Sequence, residues 1–419
     1  MTDRTEIQDV AVIGCGAAGM MAAIAAAETG ASSVTVYERN PFAGKKLRIT
    51  GKGRCNVTNN CTAREVLDAV LSNSKFLYGV INRYTPADTM AFFENAGVPL
   101  KTERGRRVFP VSDKAADISD AMIRTMKQYG VKVLYGMRVD ALVETDGGVI
   151  VKCGNREAAY HSVIVATGGV SYPATGSTGD GHRMLRKMGV NITPLKPSLV
   201  PVVTEEDCAP LSGLTLKNVT LTVTHGEDVV YTELGEMLFT HFGVSGPLVL
   251  SASSNMQKHP VDSYRMAIDF KPALSAEELD KRILSDFAKY AARDFVNSLS
   301  DLLPQKLIPY VIERSGIDPR KKTSAITRAE RLKLGEVLKA YELTPTAFRP
   351  VDEAIVTSGG VDVKEIHPKT MELKQHPGIF VCGELIDVDA YTGGYNLQLA
   401  FSTARAAGAA AAERCWDFE

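Results

Sequence analysis

Paired cysteines and an excess of one charge are both missing from this sequence of 419 residues. Its seven cysteines are odd in number, scattered, and never spaced as CxxC, which argues against a disulfide framework and a structural zinc site. We therefore predict no metal site. The 48 Lys and Arg nearly balance the 49 Asp and Glu, for a net charge of −1. No whole-chain field attracts nucleic acid or an anionic membrane, so we expect neither as a partner.

The sequence also offers little to anchor or export the chain. The segment 2–9 contains a single basic residue, which makes it a poor leader. The uncharged run 10–27 is long enough to cross a membrane, but three glycines near its start favour another structure. The composition, with 45% hydrophobic and 23% charged residues, is typical of a soluble globular protein of two or three domains. We expect a cytoplasmic protein without membrane contact.

Those three glycines form a GxGxxG motif in the setting of a dinucleotide-binding βαβ unit. A buried strand at 10–13 precedes it, and an Ala- and Met-rich helix and a second β-branched run follow. The glycines permit a tight turn, leave room for a pyrophosphate and let the helix pack on the strands, whereas a Gly-rich buried hairpin is the structural alternative. An acidic residue after the second strand would bind the ribose hydroxyls. The residues predicted for this part of the site are Gly14, Gly16, Ala17, Ala18, Gly19, Glu38 and Arg39.

A basic, glycine-rich loop at 41–59 stands where a nicotinamide dehydrogenase would have its second βαβ unit. Five of its ten positions from 45 to 54 are Lys or Arg, which could form a solvated face or a nucleic-acid patch. The glycines and the Asn and Thr donors instead suggest backbone wrapped around an extended anionic ligand. The residues predicted to bind that ligand are Lys45, Lys46, Gly53, Arg54, Asn56 and Thr58.

Two further apolar strands, at 162–166 and 379–382, also run into glycine-rich turns. In an open α/β sheet, ligands lie across the carboxyl ends of the strands, so the three turns are expected to line one long site. FAD would use all of them, and FAD is the cofactor that we predict. The additional residues predicted to bind it are Ala166, Thr167, Gly168, Gly169, Gly179, Asp180, Gly383, Glu384, Asp387, Gly393, Gly394, Tyr395, Asn396 and Leu397.

The string GKKLRITGKGRCNVTN at 44–59 resembles the flavin-loop signature of the YhiN/BaiN-type flavoproteins. The blocks at 166–169, 240–247, 357–361 and 383–398 match that family in the same order along the whole chain. The resemblance implies an α/β fold, with a Rossmann-like FAD-binding domain interrupted by a two-part insert. It also implies a flavin oxidoreductase, because family members reduce enone-type 3-dehydro bile acids or oxidise aminoacetone. The substrate and the direction of the reaction stay open.

The pattern of strands and helices agrees with an interrupted domain. We predict an FAD-binding domain from 1–194 and 347–419, a β-rich insert at 195–272 and a helical insert at 273–346. Ser275 with Glu278 and Thr327 with Glu330 have the spacing of capping boxes at helix starts. Basic residues in the helical insert could imitate a nucleic-acid module, but nearby acidic residues dilute their charge. A cap over the site or an oligomer contact is the preferred interpretation.

Groups for catalysis are harder to identify than groups for binding. A flavin that accepts a hydride gathers negative charge near its C2 carbonyl, so the amides at 393–398, at the predicted start of the last helix, could stabilise that charge. His241, between aromatic residues in the insert, is a candidate general acid or base, or else a hydrogen-bonded core residue. Tyr391 is a second candidate, or else a stacking or packing residue.

The source of electrons also stays open. No second strand-GxGxxG-helix unit is present for a nicotinamide, so NAD(P)H would dock transiently, or a small organic substrate would itself reduce the flavin. The main hypothesis is therefore an FAD-dependent oxidoreductase that transfers a hydride between a small organic molecule and flavin N5. The alternative is a flavin-containing binding or regulatory protein that uses the basic helical insert.

Overall fold

A computed structural model of the chain describes residues 7–416, and contacts divide these residues into two compact units. The first takes in the residues up to Ser198 and those from Val351 onward, and the second is Leu199–Pro350. Most of the segment 2–9, on which the prediction of a poor export leader rests, lies outside the described residues. The predicted α/β fold, a Rossmann-like domain interrupted by an insert, is confirmed.

The first unit is built on a mainly parallel sheet. Its strands are β1 (Gln8–Ile13), β2 (Val34–Glu38), β6 (Lys132–Tyr135), β7 (Ala141–Thr145), β8 (Gly148–Cys153), β9 (Arg156–Val165) and β19 (Ile379–Val381). The order is β6-β2-β1-β9-β8-β7, and β19 also pairs with β9. Because β6, β2, β1, β9 and β19 are parallel, their carboxyl ends meet at one edge.

Helices and two small sheets complete this unit. The helices are α1 (Ala17–Thr29), the short turn α2 (Thr50–Gly53), α3 (Ala63–Asp68), α4 (Ser74–Arg83), α5 (Pro86–Asn95), α6 (Ala115–Gln128), α7 (Asp180–Lys187) and α12 (Tyr395–Cys415). The strands β3 (Thr58–Asn59), β4 (Leu100–Glu103) and β5 (Arg107–Pro110) form an antiparallel sheet, in the order β3-β5-β4. The strands β10 (Lys196–Ser198) and β18 (Val356–Ser358) pair with each other. That pairing holds residues as far as Ser198 in the first unit.

The uncharged run at 10–27 is mostly buried in the core of the first unit. Residues 10–13 are buried in the sheet, and α1 buries most of its side chains against α6 and α12. Gly408 of α12 faces Ala25 of α1, where an added Cβ would come 2.7 Å from the Ala25 Cβ. Between residues 7 and 416, no helix combines the length and the apolar character needed to span a bilayer.

The second unit combines an antiparallel sheet with helices. Its strands are β11 (Val202–Thr204), β12 (Thr215–His225), β13 (Asp228–Thr240), β14 (Gly243–Ser245), β15 (Tyr264–Asp269), β16 (Tyr341–Leu343) and β17 (Pro345–Phe348), in the order β16-β15-β12-β13-β14-β11-β17. Its helices are α8 (Pro247–Asn255), α9 (Ala276–Lys289), α10 (Ile308–Ser315) and α11 (Arg328–Lys339). The predicted capping boxes at Ser275 and Thr327 are both present, at the starts of α9 and α11.

Candidate functional site

The turn from β1 into α1 shows which glycines the chain itself requires. Gly14 has a φ of +99°, and an added Cβ would lie 2.7 Å from the Ala166 carbonyl oxygen. A Cβ on Gly19 would lie 2.9 Å from the Gly14 carbonyl carbon. Gly16 is different, because its φ of −85° suits any residue and its Cβ would meet no atom within 4 Å in the described chain. The fold therefore requires Gly14 and Gly19 but leaves open space at Gly16.

The start of α1 is arranged to hold an anion. In the described chain no side chain caps the helix and no acidic residue lies in its first turn. The first helical hydrogen bond comes from Met20 N to Gly16 O, so the preceding amides, including those of Ala17 and Ala18, point out of the helix start. Unpaired amides and the helix dipole together favour phosphate at such a position.

Glu38 ends β2 and is only 6% exposed. Its Oε2 accepts from Cys15 N at 2.7 Å, and its Oε1 accepts from Asn40 N at 2.8 Å and Asn40 Nδ2 at 2.7 Å. An ionised carboxylate accepts about four hydrogen bonds, so Oε2 keeps capacity for a ribose hydroxyl. Glu38 also fixes the turns that follow β1 and β2, a structural role that its sequence position did not reveal.

Three predicted glycine-rich turns do come together at one edge of the sheet. The neighbouring strands β1, β9 and β19 end at Ile13, Val165 and Val381, and all three run in the same direction. A Cβ on Gly383, after β19, would come 2.7 Å from the Ala18 Cβ at the start of α1. The turns at 14–19, 167–169 and 383–384 therefore form one continuous wall.

Two residues predicted to bind cofactor, Lys46 and Glu384, bind each other. Lys46 Nζ lies 2.7 Å from Glu384 Oε2 and donates to Ser171 Oγ at 2.7 Å. Glu384 Oε1 accepts from Thr357 N at 2.8 Å and from Ser171 Oγ at 3.0 Å. Both charged side chains are about one-fifth exposed. This network joins the basic loop to the segments after β9 and β19 and to β18, and sequence reasoning missed its Ser171 and Thr357 members.

Other cations of the basic loop also have acidic partners. Arg54 pairs with Glu103 and Asp113, and its guanidinium carbon lies 4.2 Å from the centroid of the Phe109 ring. Arg48 pairs with Asp120. Three of the loop's five cations are thus paired within the unit, and these ion pairs hold the loop in place.

The start of α12 is attached to the end of the same loop. Gly394, its N-terminal cap, has a φ of +96°, and its Cβ would come 2.5 Å from the Thr58 carbonyl carbon. Buried Gln398 accepts from Thr58 Oγ1 at 2.7 Å and Thr89 Oγ1 at 2.8 Å, and donates to the Tyr84 carbonyl at 3.1 Å. Tyr395 and Leu397 belong to the same first turn, which no side chain caps within residues 7–416. The predicted helix start at 393–398 is therefore observed.

Two buried polar atoms of predicted site residues have no hydrogen-bond partner in the described chain, namely Asn56 Oδ1 in the basic loop and Thr167 Oγ1 after β9. Buried polar groups are nearly always paired in folded proteins. Thr167 Oγ1 lies against Gly181 of α7, whereas the unpartnered Asn56 Oδ1 fits a hydrogen-bonding cofactor. The same is true of the open space at Gly16.

Arg39 and Asp180 meet beyond the carboxyl end of β2. Arg39 Nη1 lies 2.9 Å from Asp180 Oδ2, and Arg138 and Arg183 pair with the same carboxylate. Burial acts to raise the pKa of Asp180, but the three arginines together outweigh it and leave that pKa lowered. Gly179 caps α7 beside them. The cluster gives the wall a basic outer end.

The loop before α12 is closed by its own side chains. Asn396 Oδ1 accepts from Ala390 N at 3.0 Å, and its Nδ2 donates to Ala390 O at 2.7 Å. Burial raises the pKa of Asp387 and of Asp389, and Asp389 also accepts from Ser198 Oγ at 2.6 Å. The Asn396 side chain is thus committed to its loop, so a contact from this residue to a cofactor would come from its backbone.

The two catalytic candidates lie in different units. His241 is in the turn between β13 and β14, where it is exposed and contacts the Phe242 ring edge-on at a centroid distance of 5.0 Å. The alternative interpretation of a core histidine is therefore wrong. Tyr391 is half-buried in the first unit, and its amide donates to Ala69 O at 3.1 Å. The catalytic roles of both residues remain predictions.

The cysteines show no sign of thiolate chemistry. Burial raises the pKa of Cys55 and of Cys382 to about 12, so both are neutral thiols at physiological pH. No group of three or more His, Cys, Asp or Glu is placed to hold a metal ion within residues 7–416.

Comparison with known proteins gives a family match over almost the whole chain. The model of the HI0933-like protein Rossmann domain matches residues 8–410. The chain is 32% identical to a 3-dehydro-bile acid delta(4,6)-reductase of Clostridium scindens, over 97% of this chain and 99% of that one. It is also 32% identical to a ribosomal RNA dihydrouridine synthase of Haemophilus influenzae, over 94% of this chain and 96% of that one. The corresponding Escherichia coli synthase is 27% identical over 94% and 96%.

Solved structures share the fold at low identity. A 3-ketosteroid-delta4-(5alpha)-dehydrogenase from Rhodococcus jostii has a TM-score of 0.52 at 18% identity, covering 98% of each chain. A 3-ketosteroid delta1-dehydrogenase from Sterolibacterium denitrificans has a TM-score of 0.53 at 13% identity, covering 98% of this chain and 100% of that one.

Proposed function

The chain belongs to the family of HI0933-like Rossmann-domain proteins, and from this we propose that it reduces a carbon–carbon double bond conjugated to a carbonyl group. The class of enzyme is the predicted one, an FAD-dependent oxidoreductase. FAD, when bound, supplies hydride transfer at N5. Of enone reduction and amine oxidation, the two reactions that the sequence leaves open, the proposal selects the first.

The names of two kinds of relative support this choice because they describe one type of chemistry. A bile acid with a 3-oxo group and Δ4,6 double bonds is a conjugated dienone, and reduction saturates its chain of double bonds. Dihydrouridine differs from uridine by saturation of the C5–C6 bond, which is conjugated to the C4 carbonyl. In both reactions a hydride adds to the electron-poor carbon and a proton adds to its neighbour. An activated alkene is thus the shared substrate class.

The observation that carries the FAD part of the proposal is the open space at Gly16. Gly14 and Gly19 are required by contacts within the chain, whereas nothing in the described chain forbids a side chain at Gly16. A pyrophosphate across the start of α1 would explain a glycine there. The unpartnered buried Oδ1 of Asn56, in the basic loop, also fits a hydrogen-bonding ligand.

In this proposal, different residues of the chain bind different parts of the cofactor. The first amides of α1 hold the pyrophosphate, and Glu38 receives a ribose hydroxyl on Oε2. The start of α12, fixed against Thr58 by Gln398, would stabilise negative charge on a reduced flavin with its free amides. The Lys46–Glu384 pair would hold the basic loop against the segment after β19. NAD(P)H is the proposed electron donor, and His241 or Tyr391 the proposed source of the proton.

Anaerobic stopped-flow spectroscopy of the purified yellow protein tests the reaction class. We expect NADH or NADPH to bleach the flavin absorbance, and a 3-oxo-4,6-diene steroid or a uridine-containing RNA to restore it. Bleaching by amines without a nicotinamide would instead show an amine oxidase. Flavin that no donor reduces would favour the binding or regulatory alternative, and a correctly folded protein that takes up no FAD would end the proposal.

The variant Gly16→Ala separates cofactor binding from folding. Its backbone suits Ala and its Cβ has space, so the apoprotein should be as stable as the parent in urea. FAD affinity should fall at least tenfold, because the new methyl group occupies the position of the pyrophosphate. Wild-type FAD affinity in this variant would contradict the placement of the phosphates.

Within the proposed class of activated alkenes, a uridine of ribosomal RNA is a second, more specific candidate substrate. Two relatives, at 32% and 27% identity over nearly the whole chain, are ribosomal RNA dihydrouridine synthases, against one bile acid reductase at 32%. To test this candidate, the gene is deleted from the source organism. The ribosomal RNA of the deletion strain is then analysed for the loss of one dihydrouridine. Intact dihydrouridine in the deletion strain, together with steroid turnover in vitro, would favour the small-molecule substrate.

A further inference from the structure

The hairpin between β4 and β5 carries a cluster of arginines that the proposed function does not use. Its turn is formed by Arg104, Gly105 and Arg106, and Arg107 begins the next strand. All four residues are exposed. Gly105 has a φ of +74° and Arg106 a φ of +58°, so the backbone bends sharply here and turns the arginine side chains outward. We call residues 104–107 the arginine turn.

The arginine turn is held in a defined place. Asn59 Nδ2 donates to the Gly105 carbonyl at 3.0 Å and also to the Gly393 carbonyl at 3.1 Å. Asn60 N donates to the Arg106 carbonyl at 2.7 Å. One amide group therefore links the arginine turn directly to the residue before the cap of α12.

A further contact places the arginine turn beside the start of α12. The Thr58 carbonyl, in the strand that carries Asn59, packs against Gly394. If the start of α12 faces the flavin ring, as the proposed function requires, the arginine turn lies at the edge of the same site and within the same unit.

The charge of this turn is only partly balanced. Arg106 pairs with Glu65 at 2.7 Å. Within residues 7–416, neither Arg104 nor Arg107 has a carboxylate within ion-pairing distance. Arg107 Nε donates to the Arg104 carbonyl at 3.0 Å, which keeps the two residues together. By contrast, Arg54 on the neighbouring loop is fully engaged by Asp113 and Glu103.

We infer that Arg104 and Arg107 bind an oxyanion of the substrate, a phosphodiester or a carboxylate, and thereby select anionic substrates at the flavin site. A guanidinium matches either oxyanion with two parallel hydrogen bonds, and neither Arg104 nor Arg107 has a competing carboxylate partner among the described residues. A phosphodiester would come from RNA, and a carboxylate from a small organic acid. The inference rests on the proposed function for the position of the reacting group, but the binding of the anion can be measured without it.

The test compares two double variants that remove the same charge. The first is Arg104→Gln with Arg107→Gln. The control is Arg320→Gln with Arg328→Gln, two exposed arginines of the basic helical insert. Both proteins should keep the parent flavin content, melting temperature and rate of flavin reduction by NAD(P)H. A third protein, Arg104→Lys with Arg107→Lys, keeps the charge but loses the paired hydrogen bonds and should show an intermediate effect.

Two probes distinguish the sources of the oxyanion. For a small acid, the probe is 3-oxo-4-cholenoic acid, with its uncharged methyl ester as the matched neutral substrate. The first double variant should raise KM for the acid about tenfold or more with little change in kcat, and KM for the ester less than twofold. For RNA, the probe is a fluorescein-labelled single-stranded 20-mer followed by anisotropy. The first double variant should weaken its binding, and the salt dependence of log K should fall by about one for each phosphate that the variant no longer binds.

The outcomes separate this inference from the proposed function. If the first double variant raises KM only for the acid, the bound oxyanion is a carboxylate. If it weakens only the binding of RNA, the bound oxyanion is a phosphodiester. The inference would be overturned if both double variants changed KM and RNA binding equally, or if the first double variant changed neither. It would also be overturned if the parent protein bound no RNA and had the same KM for the acid as for the ester. A colourless parent would end the proposed function, while the anisotropy measurement would still decide whether the arginine turn binds phosphate.

Discussion

Gly394 offers a sharp test of how the start of α12 is built. Replacing Gly394 with Ala should destabilise the protein in two ways. It forces Ala into a φ of +96°, and it places a new Cβ 2.5 Å from the Thr58 carbonyl carbon. Gly189 is a matched control for the cost of the positive φ alone. Its φ is +93°, and its Cβ would meet nothing within 4 Å in the described chain. The difference between the two variants therefore isolates the close approach of α12 to β3.

The expected magnitudes follow from the two effects. Forcing Ala into a positive-φ conformation costs about 1–2 kcal/mol of the free energy of unfolding, and this is the full cost expected for Gly189→Ala. A Cβ inside van der Waals contact with backbone forces a shift that costs about a further 1–3 kcal/mol. Gly394→Ala should therefore lose about 2–5 kcal/mol in total. The shift moves the helix start away from Thr58, so the affinity for FAD should fall at least tenfold in this variant only.

Urea unfolding of the two apoproteins measures the stability terms, and the fluorescence of released FAD measures the affinity. The same measurements on the parent protein give the reference. Equal stability losses in the two variants, with parent-like FAD affinity in both, would show that the packing of α12 on Thr58 neither strains the variant nor matters to the cofactor.

Three further predictions concern titration and salt. Burial lowers the pKa of His182 from 6.5 to about 4. The parent should therefore lose about 3 kcal/mol of its free energy of unfolding as the pH falls through that interval. Urea titrations at pH 4, 5.5 and 7.5 should show that His182→Gln removes most of this loss. Burial raises the pKa of Asp389 above its unfolded value of 3.8, so its contribution to stability falls as the pH rises. Asp389→Asn should accordingly be more stable than the parent at pH 7, with the gain vanishing below pH 4, and an unchanged difference at both pH values would contradict this. Because the loop cations Lys46, Arg48 and Arg54 already have acidic partners, FAD affinity should change less than about threefold between 50 and 500 mM salt; a steep fall would show that the loop cations contact the phosphates.

Features set by neighbouring residues in the sequence were predictable. The GxGxxG turn, the start of α12 and the two capping boxes of the insert follow from short patterns that have a direct physical meaning. The strands predicted at 162–166 and 379–382 end at Val165 and Val381, one residue earlier than expected. Two other capping boxes, at Thr62 and Thr85, carry the same S/T-x-x-D/E pattern and could have been found by the same rule. Glycine patterns predicted the wall of the site because backbone geometry constrains glycine locally.

Features that depend on distant partners were not predictable. Lys46 meets Glu384 across 338 positions of sequence, and no local pattern indicates which acid a basic loop will meet. The same holds for Ser171 and Thr357 in that network, and for Arg54 with Asp113. For His241 the sequence left a catalytic residue and a core residue open, and only the β13–β14 turn of the folded chain shows that the imidazole is exposed. Pairing and exposure are properties of the folded surface, and a single sequence fixes neither.

The distribution of charge in the first unit separates the binding of cofactor from the recognition of substrate. Lys46, Arg48 and Arg54 of the basic loop pair with the unit's own acids, so in the proposed site a diphosphate would depend mainly on backbone amides at the start of α1. Amides do not titrate and hold fixed directions, which suits a cofactor that must stay bound through many turnovers. Arg104 and Arg107 have no carboxylate partner in the described chain, and in the proposed site they would lie at the rim, where a substrate must arrive and leave. A long-range electrostatic attraction that weakens with salt is an advantage at the rim, whereas at the wall it would add little to a bound cofactor.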